Sequence, residues 1–305
     1  MTFAARGLLV SLAFFAVLYC ALSVGVILAW RAAERWTGRS ARAAGLLFGV
    51  RIFSFVVSLV VTLFFTFPSF WVMERHSLDE DGGTFLLAGC ALVILCAGVM
   101  RFWRDHSRTA RAVRDWGTEE ESSAERPTRA SAGAPALVLV GLHKPRVLIS
   151  DAAMAALSED ELQVAIRHEL GHRRSWDNLK KILISATPFP GMNRLERAWR
   201  EAAELAADDA AVGNRREALD LAAALIKLSR SSKQVAEPAL ASGLACGSLS
   251  ITTRVERLLA WRASGHRWLA WPWVVSLLFV LTFTVATHYG ATLVLTHRLT
   301  ELLVP

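Results

Sequence analysis

His168-Glu169-Leu170-Gly171-His172 is the stretch of this chain best suited to chemistry. On a helix, positions i and i+4 share a face, so both imidazoles can reach one metal ion. The residue after the first histidine projects beside that face, where Glu169 can act as general base toward an attacking water. One zinc ion is expected, with three protein ligands and an open position. The metzincin continuation would need a glycine at position 175 and a histidine at 178, but Ser175 and Asn178 stand there. A later helical stretch offers Glu201, Glu204, Asp208 and Asp209. Glu204 and Asp208 are four apart and share a face. Glu204 as third ligand, with Asp208 buttressing a ligand histidine, gives a His2Glu site and its supporting hydrogen bond together. Glu201 is the alternative carboxylate. His76, His106, His143, His266, His288 and His297 lack partner spacing and read as surface or packing residues. His143 and Arg200 are candidates for stabilising an oxyanion. Asp177 and Asn178 read as local capping groups.

The elements around these residues follow from their punctuation. Ser158 with Glu161 three residues on is a capping box, and predicts a helix running to about Arg174. Pro188, Pro190 and Gly191 break the chain. A second helix is expected over Asn193–Val212, with Gly213 as its terminating residue. A third is expected over 215–230, a loop over 231–249, and a short basic helix over 250–262. Ala136–Val140 and Arg146–Ile149 are short β-type runs around a Gly-Leu-His-Lys-Pro turn, and predict a hairpin.

The rest of the chain is apolar. Hydrophobic residues make up 53% of its 305 residues and charged ones 20%, with a net charge of +7. This excludes disorder for the bulk of the chain and argues against a wholly soluble enzyme. Apolar runs at about 7–30, 46–72, 84–103 and 268–289 are each near the roughly 20 residues that cross a bilayer. The first is too long for a cleaved signal peptide and is expected to be retained. Arg51 is expected to snorkel to the interface from the start of the second. Arginines follow the first and third runs and precede the fourth, while Glu74, Asp79, Glu80 and Asp81 follow the second. The positive-inside rule then puts both termini outside and 101–267 in the cytoplasm. Trp30, Trp36, Trp71, Trp103, Trp268, Trp271 and Trp273 read as an interfacial belt. Arg101, Arg104, Arg108 and Arg111 form a stripe suited to lipid headgroups, so no direct nucleic-acid partner is expected. Residues 117–135 read as a flexible linker. Four scattered cysteines form neither a disulfide framework nor a metal knuckle.

The fold class expected is therefore an α-helical membrane protein with four transmembrane helices. A cytoplasmic, mostly-α, zincin-like metallopeptidase domain with a small β-sheet lies between spans three and four. The chain divides into three spans (1–103), a basic juxtamembrane helix and linker (104–135), the peptidase domain (136–267), and a fourth span with a short tail (268–305).

Arg146-Val-Leu-Ile-Ser150, Leu157-Ser-Glu-Asp-Glu-Leu162, the HExxH run with Arg173-Arg174, and Asp177-Asn178-Leu179 together resemble the BlaR/MecR-type membrane antirepressor metallopeptidases. Glu204-Leu-Ala-Ala-Asp208 resembles that family's ExxxD motif, and Arg254-Val255 through Leu258-Leu259 its last basic helix. The resemblance covers about 136–262 by motif and the rest by topology. It implies a gluzincin of the bacterial cytoplasmic membrane in which His168, His172 and Glu204 bind zinc, Glu169 is the base and Asp208 orients a ligand. It also implies a signalling protease that cleaves itself, a small DNA-binding repressor, or both. Only a few residues follow span four, so no penicillin-binding sensor domain is expected. The 117–135 segment is a candidate self-cleavage site, and the edge of the 136–149 sheet is expected to pair with extended substrate. The prenyl-protease/HtpX family resembles the chain in the same two motifs and would imply membrane-protein quality control. A non-proteolytic signalling scaffold with a structural metal is the remaining alternative. Substrate, activating signal and oligomeric state are not legible.

Overall fold

Long apolar runs with good helix formers and no interior glycine-proline pairs build three helices long and apolar enough to cross a membrane: Phe3–Ala33, Ala41–Met73 and Gly82–Asp115. They are seen in a computed structural model that describes residues 2–34, 40–73, 82–116, 128–130, 135–141, 146–231, 241–243, 250–262, 284 and 287–304. The described chain is mostly helical, as expected. The fourth span expected at 268–289 lies almost wholly outside the described residues, as do His143, His76, His266 and most of the 117–135 segment. The chain forms two compact units, one of Met1–Leu28, Ile52–Cys96 and Ser264–Pro305, the other of Ala29–Arg51 and Ala97–Ala263.

The first unit is built from most of α1 (Phe3–Ala33), the later part of α2 (Ala44–Val61), α3 (Phe67–Met73), the start of α4 (Gly82–Asp115) and a last helix, Tyr289–Leu303. That last helix occupies residues the sequence reads as a tail. Ala13, Phe14, Ala88 and Val304 are buried together, while Leu8, Leu63, Phe64, Leu86 and Val93 face outward. Such an apolar exterior suits lipid rather than water. A π-helical turn, Thr62–Thr66, joins α2 to α3. Pro68 has no N–H to give the Phe64 carbonyl four residues earlier, and the Tyr289 hydroxyl donates to that oxygen instead at 2.8 Å.

The second unit holds a four-stranded sheet in the order β1-β3-β2-β4: β1 Thr128–Ala130, β2 Leu137–Val140, β3 Arg146–Ser150 and β4 Ala241–Gly243. The expected hairpin is there, with β2 antiparallel to β3 and Val138 opposite Leu148. Its flanks are taken, however. β1 runs parallel to β3, inside the stretch read as linker, and β4 runs antiparallel to β2, inside the stretch read as loop. The substrate-pairing edges expected on the hairpin are thus covered by the chain's own strands. Alternation sorts the side chains. Leu137, Leu139, Val147 and Ile149 enter the main core, whereas Val138, Val140 and Leu148 pack under Ala112 and Val113 of α4 and Trp116 just past its end.

The main core lies between the sheet and α5 (Asp151–Ala156), α6 (Glu159–Arg174), α9 (Arg215–Ser231) and α10 (Ile251–Leu259). Helices α7 (Asp177–Ala186) and α8 (Asn193–Ala211) complete the unit. The capping box of α6 forms, with both the Ser158 and Glu161 side chains engaged. Gly213 does not adopt the left-handed terminating conformation, and its N–H donates to the Glu217 carboxylate at 2.6 Å.

Two charges and one tryptophan sit differently from the sequence reading. Arg51 does not snorkel. Its side chain is 1% exposed, and it donates to Glu196 Oε1 (2.9 Å) and to the carbonyl oxygens of Thr187 (2.9 Å) and Ile184 (3.3 Å). A carboxylate and the open C-terminal end of α7 thus replace water as its partners. Arg254 is buried as well. Trp30 is buried within the chain rather than left open for an interface, while Trp71 and Trp103 are exposed. On α4 the expected stripe of Arg101, Arg104, Arg108 and Arg111 is exposed, and Asp105 and Thr109 are buried on another face. Asp105 accepts from Ser185 of α7 at 2.5 Å.

Candidate metal centre

Helices α6 and α8 cross closely because Gly171 has no side chain: a Cβ there would lie 3.3 Å from Ala207 Cα. That approach brings Glu204, on the same helix as Ala207, to the two histidines. His168 Nε2 and His172 Nε2 are 3.2 Å apart. Glu204 Oε2 is 3.7 Å from the first and Oε1 is 3.6 Å from the second. One ligand atom from each residue lies within 4.8 Å of the others, and among the described residues this is the only such group found. Glu201 is not part of it. His168 and Glu169 are fully buried, and His172 nearly so.

Each imidazole is held from behind. His168 Nδ1 lies 3.0 Å from Asp208 Oδ1, and His172 Nδ1 lies 2.7 Å from Asp177 Oδ2. Carboxylates at both Nδ1 atoms keep the proton there. Both Nε2 lone pairs then point at each other and at a carboxylate. Electron-rich atoms converging so closely suit a cation, and two imidazoles with one carboxylate suit zinc. The residues present fit the metal that the sequence pattern calls for.

Asp208 is fully buried, and its place behind His168 is the one expected. Burial alone would raise its carboxyl. The Arg254 guanidinium and the bond to His168 outweigh that and hold it well below the usual carboxylate range. Burial favours neutral His168 and, with help from the charges of Arg254 and His172, outweighs Asp208 and keeps it below its ordinary value. Asp177 is also lowered: burial opposes its charge, but His172 and Lys180 win.

Two partners escape the sequence reading. Asp177, read as a cap, buttresses His172 and bonds Lys180 Nζ at 3.3 Å. It reaches back because Trp176 turns the chain through a left-handed conformation at φ 55°. Such a conformation is strained for a non-glycine residue, so Trp176 carried no signal for it. Its neighbour Asn178 donates to the carbonyls of Leu139 and Gly141, tying α7 to β2. Arg254, read as a topology charge, bonds Asp208 twice, from Nε at 2.9 Å and from Nη2 at 2.6 Å. Its Nη1 lies 3.0 Å from Glu204 Oε2. The available signal was its place among Ile251, Val255 and Leu258, where the helical period calls for an apolar residue. Arg200, one of two oxyanion candidates, is half-exposed and lies 3.7 Å from Glu196.

Buried imidazoles backed by carboxylates, a facing glutamate and membrane-length helices in one chain define a membrane-associated metallopeptidase. The family model described as BlaR1 peptidase M56 matches residues 84–258. That is more than half of the chain, and the chain belongs to this family. No curated protein matches it.

Proposed function

We propose that the chain is a zinc endopeptidase of the bacterial cytoplasmic membrane, with its second unit facing the cytoplasm and both termini outside. The observation that carries this reading is the convergence of His168, His172 and Glu204 beside a fully buried Glu169. A zinc ion held by those three residues would supply a Lewis acid for the scissile carbonyl and lower the pKa of an attacking water toward about 7. Glu169 accepts that water's proton and passes it to the leaving amine. Asp208 and Asp177 fix the imidazole tautomers and orientations. A structural zinc site is closed by four ligands and commonly rich in cysteine. This one has three ligands and a neighbouring carboxylate with a proton to move, which supports hydrolysis over a scaffold.

The substrate is a cytoplasmic protein: a DNA-binding repressor, this chain itself, or both. Extended substrate pairs with the outer edge of the sheet. Since β1 and β4 already cover the hairpin, that edge belongs to them. The exposed arginines of α4 meet anionic lipid headgroups, and no nucleic acid is bound directly. The test is zinc content and substrate cleavage measured together on purified wild type and H168A. Stoichiometric zinc and cutting in the wild type, both lost in H168A, support the reading. Cutting that survives zinc loss sinks it.

A further inference from the structure

We propose that Arg254 is the positioning residue of the metal centre, holding Glu204 and Asp208 in the orientations that serve the two histidines. The inference rests on the metal-site reading above and goes beyond it. Arg254 stands on α10, a helix that contributes no metal ligand. Its side chain is fully buried, and its fork touches both carboxylates of the Glu204/Asp208 pair, Nη1 on Glu204 Oε2 and Nε and Nη2 on Asp208. Each carboxylate has a second duty. Asp208 Oδ1, which takes the 2.6 Å bond from Nη2, also faces His168 Nδ1 at 3.0 Å. Glu204, held through Oε2, turns Oε1 toward His172 Nε2. One planar group therefore sets the rotamers of a ligand and of a ligand's support. A guanidinium does this where an ammonium would not, because its donors lie in a fixed plane.

A second role for the same charge would have the opposite signature. A cation beside Glu204 repels a metal ion, so a residue acting only as counter-charge would weaken metal binding, and its removal would tighten it. A positioning residue strengthens binding, and its removal weakens it. The two roles are separated by the sign of one measurement.

The experiment is zinc affinity of the full chain in detergent micelles, by competition with a chromophoric chelator, with the visible spectrum of the Co2+-substituted protein as a second readout. R254M is expected to bind Zn2+ about 10- to 100-fold more weakly, the range seen when support behind a ligand is lost, and to change the Co2+ spectrum. R254K keeps the charge and loses the fork, and is expected to weaken binding too, which covers the case of R254M failing to fold. L258A removes apolar contacts of the same buried helix face and is expected to leave zinc affinity unchanged. R254M or R254K binding as tightly as the wild type, or tighter, overturns the proposal, as does an equal loss in L258A. A wild type whose zinc is indifferent to H168A sinks the metal-site reading and this proposal with it. Tight wild-type zinc with unaltered Arg254 variants sinks the proposal alone.

Discussion

Replacing Arg51 with methionine removes a charge that the fold has already enclosed. The guanidinium is 1% exposed, and its partner Glu196 is 15% exposed. Methionine would leave the Glu196 carboxylate without its ion pair from Arg51, and the Thr187 and Ile184 carbonyls without their bonds from it. Breaking a buried pair from one side costs about 3–5 kcal/mol, against under about 1 kcal/mol for an exposed pair. The partial exposure of Glu196 puts R51M near the lower bound, about 3 kcal/mol. R51K keeps the charge but not the several directions of donation, and falls between. R51M/E196Q removes the orphaned carboxylate and is expected to recover part of the loss. Denaturant unfolding followed by far-UV circular dichroism, in one fixed detergent, reads all three. A loss below about 0.5 kcal/mol in R51M would mark a surface-like arginine and refute the buried-clamp reasoning.

Other outcomes follow from the same geometry. D177N leaves His172 without its carboxylate and is expected to weaken zinc binding by about 10- to 100-fold, read by chelator competition. G98A would drive a Cβ into the Ala186 carbonyl oxygen. It is expected to cost about 1–3 kcal/mol as overpacking, whereas G171A, whose Cβ would lie 3.3 Å from Ala207 Cα, forces a smaller shift of α8 and is expected to cost less in the same unfolding assay. Metal-free protein is expected to lose stability as the pH falls. His168 has a folded value below its ordinary one near 6.5, so the unfolded chain takes up protons first and stability declines below about pH 6.5. Asp177 and Asp208 are lowered too, so their contributions are full above about pH 4 and are lost as pH falls through their folded values. Unfolding curves at pH 7.5, 6 and 4.5 check the direction, and flat stability across that range would contradict it.

The chemistry was more legible than its support. His168, His172 and Glu204 are named by spacing, because the helical period alone puts i and i+4 on one face. The capping box at Ser158 was legible for the same local reason. What escaped depends on distant partners. Asp177 looks like a cap until the Trp176 turn brings it back to His172. Arg51 and Arg254 look like interface charges until Glu196 and Asp208 are seen beside them, since nothing local tells a buried arginine from a snorkelling one. Strands β1 and β4 are three residues each, too short for a periodicity, and are strands only because β3 and β2 offer them hydrogen bonds.

The account's central claim is hydrolysis of protein by this site. The most direct measurement compares new protein N-termini by mass spectrometry in membranes carrying wild type or E169Q at matched levels, with a candidate repressor co-expressed. The account predicts peptide ends present with the wild type and missing with E169Q, while both proteins hold zinc equally. Identical ends in the two samples, with zinc bound in each, would contradict it.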